Sequence, residues 1–234
     1  VTNMLTRYRD DASAPTIGGW ARDVLVRAVL PAIVLFGVIV AIGQLIVGPL
    51  HSLPAEDDIN RSIRARGGPA WDDITGVWSH IGNTEIVIGV CVLAVAALWW
   101  RTKQWWYAVI PAIAISLQAS VFVAATAVTG RQRPLVDHLD PAPPTSSYPS
   151  GHMGASTALY VTFAMMAQRV RHTWLRRTLT LVFLLVPILV GYARIYRGMH
   201  HVSDVTVGAI NGVICAVLAW VALRRSPAAS ESTP

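Results

Sequence analysis

AVLPAIVLFGVIVAIGQLIVGPL, Ala28 to Leu50, runs for twenty-three residues without a charged side chain, and a helix of about 20 such residues crosses the hydrocarbon core of a bilayer. Trp105 to Gly130 and Val205 to Leu223 are equally free of charge. Three shorter runs, Ile86 to Trp100, Gly151 to Gln168 and Thr178 to Ala193, reach spanning length through uncharged or aromatic flanks such as Ile195 and Tyr196. Composition agrees: 53% of the 234 residues are hydrophobic and 14% charged, against roughly a quarter charged in soluble domains. Backbone groups in lipid must be satisfied within the segment, which favours helices. The expected fold is all-α, a polytopic bundle of six transmembrane helices over about 28–50, 84–100, 105–129, 151–168, 178–196 and 204–223, in one domain spanning 1–225. Residues 226–234 read as a disordered tail. The first run follows a polar segment and lacks a small-residue cleavage pattern, so it reads as a retained span and not a signal peptide.

Basic residues mark cytoplasmic connections. With six spans, the amino terminus (Arg7, Arg9, Arg22, Arg27), the connections holding Arg101 and Lys103 and then Arg169, Arg171, Arg176 and Arg177, and the tail (Arg224, Arg225) share one side, with 12 of the 19 basic residues. Both termini are therefore expected in the cytoplasm. Arg61, Arg64, Arg66, Arg131, Arg133, Arg194 and Arg197 fall outside. The net charge of +6 is scattered over short connections with no basic stripe, which argues against a nucleic-acid partner. Cys91 and Cys215 lie inside apolar runs and read as packing. Between His51 and Asn83, Trp71, Ile74, Trp78 and Ile81 recur at helical spacing, the pattern of an interfacial amphipathic helix that is either a lid or an outer-surface filler.

Three stretches share the outer side by this parity: Gly130-Arg-Gln-Arg-Pro134, Pro149-Ser-Gly-His152, and Arg194 to Asp204. Pro149, Ser150 and Gly151 open an apolar helix, with Ser150 as its cap and free N–H groups that suit an anion. Arg133 and Arg194 supply guanidinium forks that match phosphoryl oxygens. His200 and Asp204 are four apart, on one face if helical, where the carboxylate would hold one ring nitrogen and leave the other to attack phosphorus. His152, on the first turn of another helix, suits a general acid. A metal site built from His152, His200, His201 and Asp204 is the alternative, opposed by the charges of Arg131, Arg133, Arg194 and Arg197. His201 itself reads as interfacial.

These residues resemble the type 2 phosphatidic acid phosphatase family, a membrane group related to soluble vanadium haloperoxidases. The family's Pro-Ser-Gly-His signature is complete at Pro149 to His152. Its last signature, Ser-Arg, five residues, His, three residues, Asp, is matched at Arg194, His200 and Asp204, and its first, a Lys followed after six residues by Arg-Pro, retains Arg133-Pro134. The resemblance implies a phosphohistidine on His200, Asp204 as its orienter, His152 as acid, and a phosphate cradle of Arg133, Ser150, Gly151 and Arg194. It also implies a lipid phosphate substrate, drawn from the bilayer, with no metal and no cofactor. Two positions depart: Ala193 replaces the Ser and Thr126 replaces the Lys. Arg131 is the nearest candidate to supply the missing charge, with snorkelling to headgroups as the alternative.

The expected function is an integral membrane phosphatase acting on a lipid phosphomonoester or diphosphate, with its site on the extracytoplasmic side. A noncatalytic lipid-phosphate binder or transporter is the rival reading that Thr126 sustains. Gly208 and Gly212 allow close approach of the last span to a neighbour or, alternatively, a homodimer seam.

Overall fold

The computed structural model describes residues 14–222. The regular elements of the described residues are helices, joined by an irregular stretch over 130–150 and shorter turns: α1 (Ile17–Val24), a π-helical turn (Leu25–Val29), α2 (Leu30–Val47), α3 (Ala55–Arg64), α4 (Pro69–Ile81), α5 (Thr84–Thr102), α6 (Trp105–Ala108), α7 (Ile110–Thr129), α8 (Gly151–Ala167), α9 (Thr173–Tyr196) and α10 (Val202–Ala222). The tail expected at 226–234 lies outside the described residues.

Among the described residues, five helical stretches are long and apolar enough to cross a membrane: Ile17–Val47, Thr84–Thr102, Trp105–Thr129, Thr173–Tyr196 and Val202–Ala222. The fourth expected span, α8, has 17 residues, a length of about 26 Å at 1.5 Å per residue, at the short end of what crosses. It is the centre of the bundle, packed by α5, α7, α9 and α10. Small residues make that position habitable. A Cβ on Gly208 would sit 2.5 Å from the Ser150 carbonyl oxygen, and one on Gly212 would sit 2.6 Å from that of Gly154. The backbones of α10 and α8 thus approach closely, and this glycine face is an intrachain contact, not a free homodimer seam.

Helix ends follow their local sequence. Ser150 caps α8 by accepting from the Met153 N–H, and Pro111 opens α7 where no intrahelical donor is needed. Gly130 stops α7 in the left-handed region at φ 70°, a conformation costly for other residues. The ends of α2 and α7 and the starts of α5, α8 and α10 meet at one end of the bundle. Gln44 donates to the Val128 carbonyl, His152 bonds Asn83, and the Ser150 N–H donates to the Asp204 carbonyl.

The 51–83 segment forms two helices where one was expected. In α4 the packed residues are Trp71, Thr75, Trp78 and Ser79, whereas Ile74, 40% exposed, points outward. The apolar stripe is divided because α9 and its C-cap residue offer both ring and charge: the Trp71 indole donates to the Tyr192 hydroxyl, and Thr75 and Ser79 meet Arg197 and Arg194.

Candidate active site

Where these helix ends meet, a cavity of about 1020 Å³ opens. Its polar end carries Arg133, Gly151, His152, Arg194 and His200, from all three of the stretches singled out in the sequence, together with Asp140 and Asn83. Its other walls are apolar and come from α5 (Val87, Cys91) and α7 (Ala119, Phe122).

His200 lies in the turn between α9 and α10, not on a helix. Its Nδ1–H donates to the Ser147 carbonyl at 2.7 Å, while the nearer Asp204 oxygen is 3.9 Å from the same nitrogen. The expected carboxylate–imidazole bond is therefore replaced by a backbone acceptor. The reason is the helix start: α10 begins at Val202, so Asp204 is its third residue and reaches back to the His201 N–H at 2.9 Å, as the acidic member of a capping box does. Donation from Nδ1 leaves Nε2 as the ring's lone-pair nitrogen. Burial, aided by the nearby Arg194 charge and only partly opposed by Asp204, pushes the His200 pKa well below its ordinary value, so the ring is neutral at physiological pH.

His201 corrects a second expectation. It is buried, with Nδ1 3.2 Å from Asp204 and Nε2 3.4 Å from Asp57, so it belongs to the support of the turn and not to the interface. Asn60, from α3, completes that support by donating to the carbonyls of Ile195 and His200.

Arg131 is not brought to the cavity. Only 2% exposed, its guanidinium bonds Asp204 at 2.5 Å, Glu56 at 2.8 Å, the Ser203 hydroxyl and the Ser52 carbonyl. Two carboxylates outcompete any role as a substitute for the missing lysine. Thr126 supplies no charge either; its hydroxyl donates to the carbonyls of Ser146 and Tyr148 and pins the loop between α7 and α8. Ser150 is fully buried and occupied in capping.

Arg133 and Arg194 do line the cavity and have donors to spare. Arg133 gives one NH1 bond to the Met199 carbonyl, Arg194 gives NH1 bonds to Ser79 and Asp140 at 2.8 Å each, and the buried Nε of both arginines has no partner. Buried N–H groups are costly to leave unmade, so a pair of them beside two histidines suits an acceptor such as an anion. Asp140 also accepts from Ser79 and from Arg197. Burial pushes its carboxyl up, but the bonds from Arg197 and Ser79 and the charges of Arg194 and Arg197 outweigh this and hold it below the ordinary carboxylate range. His152 is fixed by Asn83, whose Oδ1 lies 3.0 Å from Nε2. Among the described residues, no group of three or more His, Cys, Asp or Glu is arranged to hold a metal ion.

Sequence reasoning missed Ser147, Asn60, Glu56, Asp57, Asn83 and Asp140. Ser147 acts through a carbonyl that every residue carries, and the others sit in connections without a motif.

The sequence profile of the PAP2 superfamily matches residues 105–227, which takes in Arg133, His152, Arg194, His200 and Asp204. The crystal structure of the first transmembrane PAP2 type phosphatidylglycerolphosphate phosphatase from Bacillus subtilis is similar to this chain, with a TM-score of 0.68 at 20% identity over 81% of this chain and 92% of that one. The crystal structure of Aquifex aeolicus LpxE gives 0.54 at 23% identity, covering 69% and 92%. Both are likenesses of fold. No curated protein matches the chain.

Proposed function

The chain belongs to the PAP2 superfamily, and from that premise we propose that it is an integral membrane phosphatase that hydrolyses a lipid phosphate through a phosphohistidine intermediate, without a metal. The observation that carries the reading is the convergence, in one cavity, of His200, His152 and two arginines whose buried Nε–H groups lack partners.

The phosphoryl group lies between Arg133 and Arg194, and the lipid chain runs along the apolar wall between α5 and α7. The His200 Nε2 attacks phosphorus; the P–N bond forms as the P–O bond to the lipid alkoxide breaks. The proton stays on Nδ1, hydrogen-bonded to the Ser147 carbonyl, which stabilises the ring as it becomes positive. His152 gives a proton to the departing alkoxide and then takes one from the water that cleaves the P–N bond. The arginine forks stabilise charge gathering on the equatorial oxygens. Asp204 acts one step removed, by holding the start of α10 and Arg131.

The cavity faces the extracytoplasmic side in this reading, with both termini cytoplasmic. Of the seven basic residues on that side, Arg133 and Arg194 line the cavity, Arg131 and Arg197 are held behind it by carboxylates, and Arg61 and Arg64 pair with Asp58 and Asp72. Their presence outside the cytoplasm thus has a local cause, and the remaining bias is stronger than the raw tally. The noncatalytic rival rests on Thr126, since no cation takes the lysine's place. Phosphate release from a lipid phosphate by purified protein separates the two readings. Release that persists in chelator and is blocked by vanadate is expected; binding without release favours the rival, and loss with chelator restored by a divalent ion removes the metal-free mechanism.

A further inference from the structure

We propose that the cavity selects a phosphomonoester over a diphosphate and that Asp140 sets this selection. The proposal rests on the lipid phosphatase reading above and narrows its substrate.

Four arginines approach the polar end, but two are already spent. Arg131 is held behind the wall by Asp204 and Glu56. Arg197 gives its Nε and NH2 to Asp140 and its NH1 to the Asp72 carbonyl and Thr75. Thr126, at the position where a lysine was looked for, bonds only loop carbonyls. The cavity therefore presents two arginines, Arg133 and Arg194, against Asp140, the one carboxylate among the described residues lining it. These three lining charges sum to one positive, the proton that His152 delivers adds a second, and the unspent donors include one buried Nε–H on each arginine.

A phosphomonoester, with about one to two negative charges near pH 7, matches that supply. A diphosphate brings a second phosphoryl group that needs donors of its own. Beyond the two arginines the surroundings offer neutral donors such as Asn83, Gln118 and Thr145, the apolar α5 and α7 wall, and the segment Asp140, Pro141, Ala142 and Pro143, whose only charge is negative. Asp140 is not free to turn away, because Ser79, Arg194 and Arg197 hold both of its oxygens at 2.7 to 2.9 Å. A like charge fixed at the rim of a partly buried site lowers affinity for the extra phosphoryl group by about ten- to a hundredfold.

The test uses the purified full chain with farnesyl phosphate and farnesyl diphosphate, which share one tail, and follows initial consumption of each. The wild-type protein should favour the monophosphate in kcat/KM by at least about tenfold. Asp140→Asn should shrink that ratio by about tenfold, mainly through a lower KM for the diphosphate, and Asp140→Glu should keep it. A wild-type protein that favours the diphosphate or does not discriminate overturns the proposal, as does an unchanged ratio in a folded Asp140→Asn protein. If neither lipid is consumed, the phosphatase reading fails, and the selection is then judged by binding. Orthophosphate should raise the Tm at lower concentration than pyrophosphate, and the opposite ranking refutes it. The wild-type ratio and the anion ranking need no variant, so a misfolded Asp140→Asn protein does not shield the proposal.

Discussion

Replacing Arg131 with Ala should unfold this protein more readily than it should weaken phosphate binding. The Arg131 side chain is fully buried and bridges Asp204, whose side chain is also fully buried, to Glu56, whose side chain is 13% exposed. Removing it leaves two carboxylates facing each other without a counter-charge. Breaking a buried ion pair by deleting one partner costs about 3–5 kcal/mol, and in a chain of this size each kcal/mol moves Tm by about 2–4 °C, so a fall on the order of 10 °C is expected. Glu56→Gln in the Arg131→Ala background should recover part of the loss, because it removes one of the stranded charges. The assay is thermal unfolding in detergent beside phosphate-release kinetics, with Arg133→Ala as the contrast. Arg133 lines the cavity and gives one backbone bond, so its loss should raise KM with a smaller change in Tm. An Arg131→Ala protein with wild-type Tm and a raised KM would refute the reasoning, because Arg131 would then be touching substrate.

The depressed pKa of His200 makes stability depend on pH. Below about 6.5, the ordinary value, the unfolded chain takes up a proton that the folded protein refuses. The His200 contribution is thus complete above that pH and is lost as pH falls, by up to about 1.4 kcal/mol per pH unit. Between pH 7 and 5 the wild-type Tm should fall more steeply than that of His200→Asn; parallel curves would mean that the ring is protonated in the folded state. Gly208→Val places a side chain 2.5 Å from the Ser150 carbonyl and should cost about 1–3 kcal/mol through overpacking, read as a lower Tm; an unchanged Tm would mean that α8 and α10 are not in this contact. For sidedness, a Cys replacing exposed Asp137 should react with an impermeant thiol reagent applied outside the cell, and one replacing exposed Arg171 should not. The two native cysteines are buried and give little background, and the reverse pattern would turn the cavity toward the cytoplasm.

Apolar runs carried most of the fold, because lipid tolerates so few alternatives to a helix. The short helix α8 was legible as one of the weaker apolar runs; its depth in the bundle depends on Gly208 and Gly212 of α10, which meet it backbone to backbone. The cavity histidines and Arg133 and Arg194 were legible because each stood at a helix boundary on the same predicted side. The partnership of His200 was not. Spacing of four suggests a shared helical face, yet the helix starts after His200, and Asp204 closes that start instead. Arg131 misled for a related reason: proximity in sequence to Arg133 says nothing about Glu56, which lies 75 residues away and claims the guanidinium. Asn60 and Asp140 carried no motif at all, and their importance comes from what the fold packs against them.

Rapid-quench labelling tests the central claim most directly. The protein is mixed with a lipid phosphate carrying ³²P and stopped within a turnover, and protein-bound label is then assayed for stability in acid and base. Label that is acid-labile and base-stable, absent from His200→Ala and accumulating in His152→Ala, is the result expected of attack by the His200 Nε2. Phosphate release at the wild-type rate by a His200→Ala protein, or label that persists without His200, would contradict it.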